Sequence, residues 1–248
     1  KSTNNGSSFT DLSSGLVISQ FYRLACSQTN TDLILAGAQD NSSSIRKNNE
    51  WDEIRGGDGM EQLVHVNNAN ILFSASQYGS IGRSVNGGAS FNNILGALNG
   101  TGDWVTPFVM SPGGTFYAGY KDVYRSINNG STYTKISNFG GSNLTLLHVN
   151  PSDPNHIYAG RNNTLYRTTN GGTTWTNVGS SVPNNGMTFT YLAFHPTNPL
   201  RAWVTCSGYN KGNKIFETAD GGTTWTNISF DLPNLPANCI AYETGSND

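Results

Sequence analysis

Two acidic residues in polar, loop-like segments are the first candidates for chemistry in this chain. Asp40 stands in Gln39-Asp40-Asn41, and Asp58 lies in the glycine-rich segment 56–59. If their loops converge, two carboxylates roughly 5–10 Å apart could act as the acid and base of glycoside hydrolysis. The oxygens of Asp40, Asn41 and Asp58 could instead bind Ca²⁺, which takes oxygen ligands from loops. Turn capping is the third interpretation, which the neighbouring glycine favours. We therefore assign no catalytic residue and expect no cofactor, with Ca²⁺ as the alternative.

A wider set of polar and aromatic residues occupies similar segments between predicted strands. Aromatic rings beside amides and carboxylates suit a sugar, whose C–H groups stack on the ring while its hydroxyls take hydrogen bonds. The simpler interpretation is that exposed loops are polar in any protein. The candidate ligand-binding residues are Gln39, Asp40, Asn41, Asp58, Gln77, Tyr78, Asp103, Trp104, Tyr120, Lys121, Arg161 and Tyr209.

An eight-residue pattern that occurs five times indicates the structural elements that must position these loops. Its copies are Ser2–Phe9, Ser84–Phe91, Ser126–Tyr133, Thr168–Trp175 and Thr218–Trp225. Each copy has Ser or Thr first, Asn or Asp third, Gly fifth and an aromatic residue last. The Asn or Asp side chain can accept backbone hydrogen bonds and close a turn, and the glycine supplies a positive φ. The predicted structural pairs are Asn4 and Gly6, Asn86 and Gly88, Asn128 and Gly130, Asn170 and Gly172, and Asp220 and Gly222.

The spacing of these octads predicts a repeat architecture. The middle three begin at residues 84, 126 and 168, which is a period of 42 residues. A fixed period of this length marks units that cannot bury their own apolar face and must stack on their neighbours. Around each octad, short alternating segments predict four strands per unit, for example 144–149, 156–160, 164–167 and 175–178. Four strands per unit make one blade of a β-propeller, so we predict an all-β fold.

At this point the octads are similar to Asp boxes, the turn motif of BNR repeats. That motif is known from sialidases, xyloglucan-cleaving glycoside hydrolases, sortilin-type receptors and a photosystem assembly factor, and the resemblance implies a β-propeller. It covers essentially the whole chain. The chain departs from the family pattern in that four copies carry Asn in place of Asp. Asn can still form the hydrogen bonds of the turn, but it carries no charge. Arg83, Arg125 and Arg167 each precede a box, so they fall on separate blades and do not form the arginine cluster that a sialidase needs.

We predict one domain, 1–248, with complete blades at roughly 18–55, 58–94, 103–136, 142–178 and 187–228. The first blade carries a worn box at 45–51, in which the turn is shortened. Residues 1–13 and 237–248 are expected to form part of another blade, because the chain starts inside a box and ends on a strand-like segment. This favours a portion of a longer parent chain, with a closed ring of six blades as the alternative.

Strand order sorts the surface of such a propeller into two faces. The loops between second and third strands share the upper face with the junctions between blades. The boxes join third to fourth strands and therefore lie on the opposite face. All the candidate ligand-binding residues fall in upper-face loops, so we expect any ligand there.

The composition narrows the range of partners. Net charge is −2, only 12% of residues are charged and basic clusters are absent, which argues against nucleic acid or an anionic membrane as partner. No apolar run reaches transmembrane length. Few Lys and Glu with many Asn, Ser, Thr and Gly are typical of exported bacterial surface proteins. Cys26, Cys206 and Cys239 are expected to be buried thiols, with a Cys26–Cys239 bridge only if the two ends of the chain are neighbours.

These observations favour a secreted, non-catalytic module that binds a glycan or protein at the cell surface through its upper-face loops. One alternative is a polysaccharide hydrolase of the xyloglucanase type, with Asp40 and Asp58 as acid and base. A structural spacer in an adhesin or surface filament is the third hypothesis.

Overall fold

The structure is a computed structural model that describes residues 1–12, 19–94, 98, 100–243 and 245. Its strands form five four-stranded antiparallel sheets, each a meander in chain order. The described residues contain two single 3₁₀ turns, at 77–79 and 179–181, and no α-helix. The predicted boundaries at residues 13 and 18, and residues 244 and 246–248 of the predicted partial blade, lie outside the described part. No described helix has the length and apolar character needed to cross a membrane.

The five sheets are the blades of the propeller. Blade 1 is β1 (Phe21–Cys26), β2 (Ile34–Ala38), β3 (Ser43–Lys47) and β4 (Glu50–Arg55). Blade 2 is β5 (Gln62–Val64), β6 (Leu72–Ser76), β7 (Ser80–Ser84) and β8 (Asn92–Asn93). Blade 3 is β9 (Phe108–Met110), β10 (Phe116–Gly119), β11 (Val123–Ser126) and β12 (Thr134–Lys135). Blade 4 is β13 (Leu146–Val149), β14 (Ile157–Arg161), β15 (Thr164–Thr168) and β16 (Thr176–Asn177). Blade 5 is β17 (Phe189–Phe194), β18 (Ala202–Cys206), β19 (Ile215–Thr218) and β20 (Thr226–Asn227).

The apolar core lies between blades, as a repeat architecture requires. The first strands contact one another in the order β1, β5, β9, β13, β17 around a common axis. Behind them, four separate apolar clusters fill the spaces between successive blades. Between blades 2 and 3, for example, Phe73 stacks on Phe116 with ring centroids 4.6 Å apart. No blade buries its apolar face alone, so each depends on its neighbour for stability.

The octads are the clasped turns that their residue types predict. In the blade 4 box, the Thr168 hydroxyl donates to Asn170 Oδ1 at 2.9 Å and accepts from the Gly172 backbone N–H at 3.0 Å. Asn170 Oδ1 also accepts from the Thr174 backbone N–H at 2.9 Å. The same bonds recur in the other four octads, including Ser2–Phe9. The Asp-box interpretation of these sequences is confirmed.

Arginines that precede boxes fasten one blade to the next. The Arg83 guanidinium donates to the Asn129 carbonyl, in the following blade's box, at 2.6 Å. Arg167 donates to the Gly221 carbonyl of the blade 5 box. In the opposite direction, the Trp175 indole N–H donates to the Ile136 carbonyl of blade 3 at 2.7 Å. These arginines therefore hold neighbouring blades together on the lower face.

The worn box of blade 1 is replaced by a tight hairpin. Asn48 and Asn49 form a two-residue turn with φ of 55° and 64°, and Lys47 pairs with Glu50 across it. Two consecutive residues with positive φ are the mark of a type I′ turn, whose twist matches that of paired strands. Because this turn leaves no box, β4 is six residues long, whereas the outer strands of the other blades have two residues each.

The expectation of three buried thiols is correct for one of them. Cys206 is buried in β18, whereas Cys26 and Cys239 are exposed, and all three are free. Cys26 ends β1, whose alternate side chains point away from the interblade core. Cys239 lies in a segment without regular structure that packs beside the start of blade 5.

Candidate ligand-binding site

A cavity of about 770 Å³ opens on the upper face at the axis of the propeller. Its wall is built from the starts of β1 and β17, the junction residues 103–105 before β9, Thr145 before β13, and residues 238–241. First strands begin at the upper face, so the topology itself gathers these segments around the axis. The volume falls in the range typical of small-ligand sites.

An aromatic chain leads from the surface into this cavity. The rings of Tyr78 and Trp104 meet edge to face, with centroids 5.2 Å apart and planes at 81°. The Trp104 indole N–H donates to the Tyr22 hydroxyl at 3.3 Å. Tyr22 and Trp104 line the cavity, whereas Tyr78 stands 54% exposed beside it. Tyr78 and Trp104 were both predicted as ligand-binding candidates, and the structure brings them together.

The backbone that carries Tyr78 is held in an unfavourable conformation. Tyr78 has φ 59° and ψ 27°, a left-handed region that costs a residue with a bulky side chain of order 1–3 kcal/mol. The surrounding bonds enforce it, because the Gly102 backbone N–H donates to the Tyr78 carbonyl at 2.9 Å. The Tyr120 hydroxyl also donates to the carbonyl of the next residue, Gly79, at 2.6 Å. Backbone strain at a residue other than glycine persists only where the surrounding structure enforces it, and it is often found where a side chain must be held in a fixed position.

Tyr120 itself lies beneath this loop and not on the surface. It was predicted as a ligand-binding residue, but it is only 1% exposed and belongs to the apolar cluster between blades 2 and 3. Burial raises the pKa of its hydroxyl well above the ordinary value. It acts on the site by supporting Gly79, where an added Cβ would lie 2.8 Å from its oxygen.

A charged group that the sequence did not single out forms the floor of the cavity. Arg23 of β1 pairs with Glu61, ahead of β5, with Nε and Oε2 3.2 Å apart. Arg23 lines both the large cavity and a smaller one of about 50 Å³ below it, which Glu61 and His148 line as well. The His148 ring packs edge to face on Tyr191, with centroids 4.5 Å apart.

Burial sets the protonation of this floor. Desolvation raises the pKa of Glu61 to about 7, against the opposing effect of the Arg23 charge. Desolvation, reinforced by Arg23, lowers the pKa of His148 to about 3, so its imidazole is neutral at pH 7. The floor therefore combines the Arg23 guanidinium with a neutral imidazole and a carboxyl group whose pKa is raised well above its ordinary value. A charged residue inside an otherwise alternating first strand was the only sequence signal for this group.

Asp103 is the one acidic residue among the described residues that line the large cavity. Burial raises the pKa of its carboxyl group, while a hydrogen bond from the Trp104 backbone N–H opposes the shift. It was among the predicted ligand-binding residues, and the structure places it in the cavity wall.

Asp40 and Asp58 are neighbours, and their contact closes a loop. The Asp40 backbone N–H donates to Asp58 Oδ1 at 2.6 Å, with Asp58 buried and Asp40 at φ 55°. The Asn41 side-chain amide donates to the Gln39 carbonyl at 2.8 Å. One Asp58 oxygen is thus used as a turn cap. Across the described residues, no group of three or more His, Cys, Asp or Glu side chains is arranged to hold a metal ion.

The remaining candidates are spread over the upper face. Tyr209 is 74% exposed on blade 5, and Lys121 is exposed on blade 3. The Arg161 guanidinium donates to the Ser142 carbonyl at 2.6 Å and stacks over the Tyr166 ring, 5.8 Å from its centroid. Gln77 opens the 3₁₀ turn that carries Tyr78. These positions do not converge with the cavity wall.

Comparison with known proteins supports this architecture. The Sortilin-Vps10 family model (sortilin, neurotensin receptor 3) matches residues 121–235. The GH74 enzyme of Niastella koreensis superposes with a TM-score of 0.65 at 22% identity, over 83% of this chain and 38% of that one. The GH74 xyloglucanase of Xanthomonas campestris superposes with a TM-score of 0.66 at 13% identity, over the same shares of the two chains. The chain thus spans under two fifths of the length of these enzymes.

A third similar structure contains a bound peptide. YCF48 bound to D1 peptide gives a TM-score of 0.62 at 14% identity, over 90% of this chain and 73% of that one. The comparison with curated protein sequences returned no match. At these identities the structural likeness is one of fold. The clasped octads, the blade topology and these comparisons agree that the chain is a β-propeller with Asp-box turns, similar in fold to the propellers of the GH74 enzymes.

Proposed function

We propose that this propeller is a non-catalytic binding module that holds a glycan in its upper axial cavity, as part of an exported or cell-surface protein. The observation that carries the proposal is the aromatic chain Tyr78–Trp104–Tyr22 at the mouth of a cavity of about 770 Å³. The composition, rich in Asn, Ser, Thr and Gly and poor in Lys and Glu, supports the extracellular setting.

The chemistry of the wall suits a sugar better than a purely apolar ligand. Trp104 is 38% exposed and Tyr78 stands at a right angle to it, so two ring faces of different orientation are open to C–H groups. The hydroxyl of Thr145 and the amide of Asn238 lie in the same wall and can exchange hydrogen bonds with sugar hydroxyls. Because the Tyr78 loop is already fixed, little conformational entropy is lost when a ligand binds.

Two other functions rank behind this one. Hydrolysis of a glycosidic bond needs two carboxylates at the reacting bond, whereas Asp103 alone supplies one among the described lining residues of the large cavity. The likeness to xyloglucanases favours a polysaccharide as the ligand class without requiring cleavage. The structure of YCF48 with a D1 peptide favours a peptide in an equivalent propeller, and this is the second candidate.

A glycan array followed by titration calorimetry tests the proposal. The 248-residue chain should bind one class of oligosaccharide, and Trp104→Ala should lower its affinity at least tenfold. Tyr209→Ala is the matched control, because Tyr209 is an exposed upper-face aromatic outside the cavity wall, and its affinity should match that of the parent. Release of reducing ends from the bound polysaccharide, abolished by Asp103→Asn, would transfer the assignment to a hydrolase. Silence across the array, or equal loss in both variants, would overturn the proposal.

A further inference from the structure

The outer edge of blade 1 differs from the outer edge of every other described blade. Strand β4 is six residues long, and five of them pair with β3, whereas β8, β12, β16 and β20 have two residues each. Short outer strands are a common protection against unwanted strand pairing. The tight Asn48-Asn49 hairpin removes that protection from blade 1 and leaves an edge about 20 Å long.

This edge is open to solvent. Residues Glu50 to Glu53 are all exposed, and Trp51 is 49% exposed. Within the described part of the chain, β3 is the one strand that pairs with β4. The pair that flanks a two-residue hairpin turn exchanges both backbone bonds, and bonded and non-bonded pairs then alternate. Since Glu50 flanks the turn opposite Lys47, the backbone N–H and C=O groups of Trp51 and Glu53 point outward, away from β3.

The charges beside this edge are mainly negative. Trp51 and Glu53 lie on one face of the strand, while Glu50 and Asp52 lie on the other. Lys47 stands opposite Glu50 in the ladder, whereas Ile45 stands opposite Asp52 and Ser44 opposite Glu53. The nearby cations are engaged elsewhere. Arg46 pairs with Asp32, and Arg55 donates to the carbonyls of Ser74 and Ser80.

We propose that β4 binds an extended, basic segment of a partner protein, which adds to blade 1 as a fifth strand. Backbone bonds to Trp51 and Glu53 would supply the pairing, as in other cases of β-strand addition. Lys or Arg side chains at alternate positions would face Asp52, and the apolar side chains on the opposite face would pack on Trp51. A second copy of this chain is disfavoured, because antiparallel pairing of two β4 edges would set carboxylate against carboxylate.

The test uses the whole chain and an eight-residue peptide of alternating Lys and Val, blocked at both ends and labelled for fluorescence anisotropy. The peptide should bind, and a peptide of alternating Glu and Val should bind at least tenfold more weakly. Methylating the backbone nitrogens on one edge of the Lys-Val peptide should abolish binding, because it removes the donors that pair with β4. If the methylated peptide bound as tightly as the unmethylated one, the binding would be due to surface charge and not to strand pairing, and the proposal would be overturned.

Variants of the protein give an independent measurement. Trp51→Pro removes an outward N–H and should weaken binding at least tenfold, whereas Trp51→Thr retains the N–H and should stay within about threefold of the parent. The double variant Asp52→Lys, Glu53→Lys should reverse the preference towards the Glu-Val peptide. Asn177→Pro, which removes an outward N–H from the short outer strand of blade 4, should leave binding unchanged. Wild-type affinity in Trp51→Pro, or dimers of the free chain in light scattering that the peptide does not dissociate, would contradict the inference.

Discussion

The hydroxyl of Tyr158, in the second strand of blade 4, donates a hydrogen bond at 2.7 Å to the carbonyl of Gly221 in the box of blade 5. The Arg167 guanidinium donates to the same carbonyl. The boxes of blades 3 and 5 therefore close their own hairpins and also accept bonds from the preceding blade. The octad thus closes a turn and also joins two blades. These two roles explain why the five copies are so similar to one another, whereas the upper-face loops of the five blades differ.

Removal of the Tyr158 hydroxyl should weaken the contact between blades 4 and 5 without breaking it. We expect Tyr158→Phe to lower the free energy of unfolding by about 1 kcal/mol, since Arg167 still satisfies the Gly221 carbonyl. The double variant with Arg167→Met should lose more than the sum of the two single changes, because the buried carbonyl is then unpaired. Urea denaturation measures both, with the exposed Tyr209→Phe as the control. Strict additivity would show that the two donors do not share one acceptor.

The single Asp among the boxes should be replaceable by Asn. Asp220 accepts bonds from the backbone N–H and the hydroxyl of Thr224, at 2.9 and 2.7 Å. In the blade 4 box Asn170 accepts the equivalent backbone bond, and its amide donates to the Thr174 hydroxyl at 2.8 Å. The threonine hydroxyl donates to the carboxylate of Asp220, and by rotating it can instead accept a bond from an asparagine amide. The box therefore accommodates either residue. Asp220→Asn should stay within about 0.5 kcal/mol of the parent at pH 7, whereas Asp220→Ala should lose about 1 kcal/mol.

The same box gives an acid-sensitivity test. Hydrogen bonds from Thr224 are the main cause that lowers the pKa of Asp220 to about 2. A carboxyl group whose pKa is depressed by folding stabilises the protein above its unfolded value, near 4, and this contribution is lost as the pH falls towards 2. The parent should therefore lose stability relative to Asp220→Asn between pH 4 and pH 2. Parallel melting curves for the two proteins over that range would contradict the assignment.

The repeat and its faces could be predicted from sequence because the information is local. Ser126, Asn128 and Gly130 form their clasp within five residues of chain, so residue types and spacing suffice. The site was only partly predictable, because its contacts join distant segments. Trp104 and Tyr22 are 82 residues apart, and the Arg23–Glu61 pair joins two blades. Their meeting depends on how successive blades rotate about the axis, which no single repeat encodes.

Tyr120 shows that a residue in an upper-face loop need not be exposed on the upper face. It follows β10 directly and was assigned to the upper-face loop, but its ring turns into the cluster between blades 2 and 3. A strand end can direct a side chain inward when an apolar space and a hydrogen-bond acceptor, here the Gly79 carbonyl, are both available. Lys121 and Asp122 follow it, and only Lys121 is exposed.

The floor of the cavity predicts a distinct pH dependence. Folding raises the pKa of Glu61 from 4.5 to about 7, so between these values the folded state keeps a proton that the unfolded state releases. Stability from this group is fully present below pH 4.5 and is lost as the pH rises through 7. The melting temperature of the parent minus that of Glu61→Gln should therefore be larger at pH 5 than at pH 7.5.

Other groups, including His148 with its lowered pKa, are present in both proteins and cancel in this difference. Glu50→Gln is the control, because Glu50 is exposed on β4 and should give a difference that does not change over this range. A difference for Glu61→Gln that grows with pH would mean that Glu61 is held as a carboxylate by Arg23 throughout.

The fixed loop beneath Tyr78 can be disturbed at Gly79 without touching an aromatic ring. Gly79 has φ 76°, and an added Cβ would lie 2.8 Å from both the Tyr120 hydroxyl and Thr106 Oγ1. Gly212 has φ 75° with nothing within 4 Å of its added Cβ, so Gly212→Ala measures the cost of the backbone conformation alone, about 1–2 kcal/mol. We expect Gly79→Ala to cost at least about 1 kcal/mol more. It should also lower glycan affinity severalfold, because Tyr78 leaves its place against Trp104, whereas Gly212→Ala should bind as the parent does. Unchanged affinity in a destabilised but folded Gly79→Ala would show that the position of Tyr78 does not matter for binding.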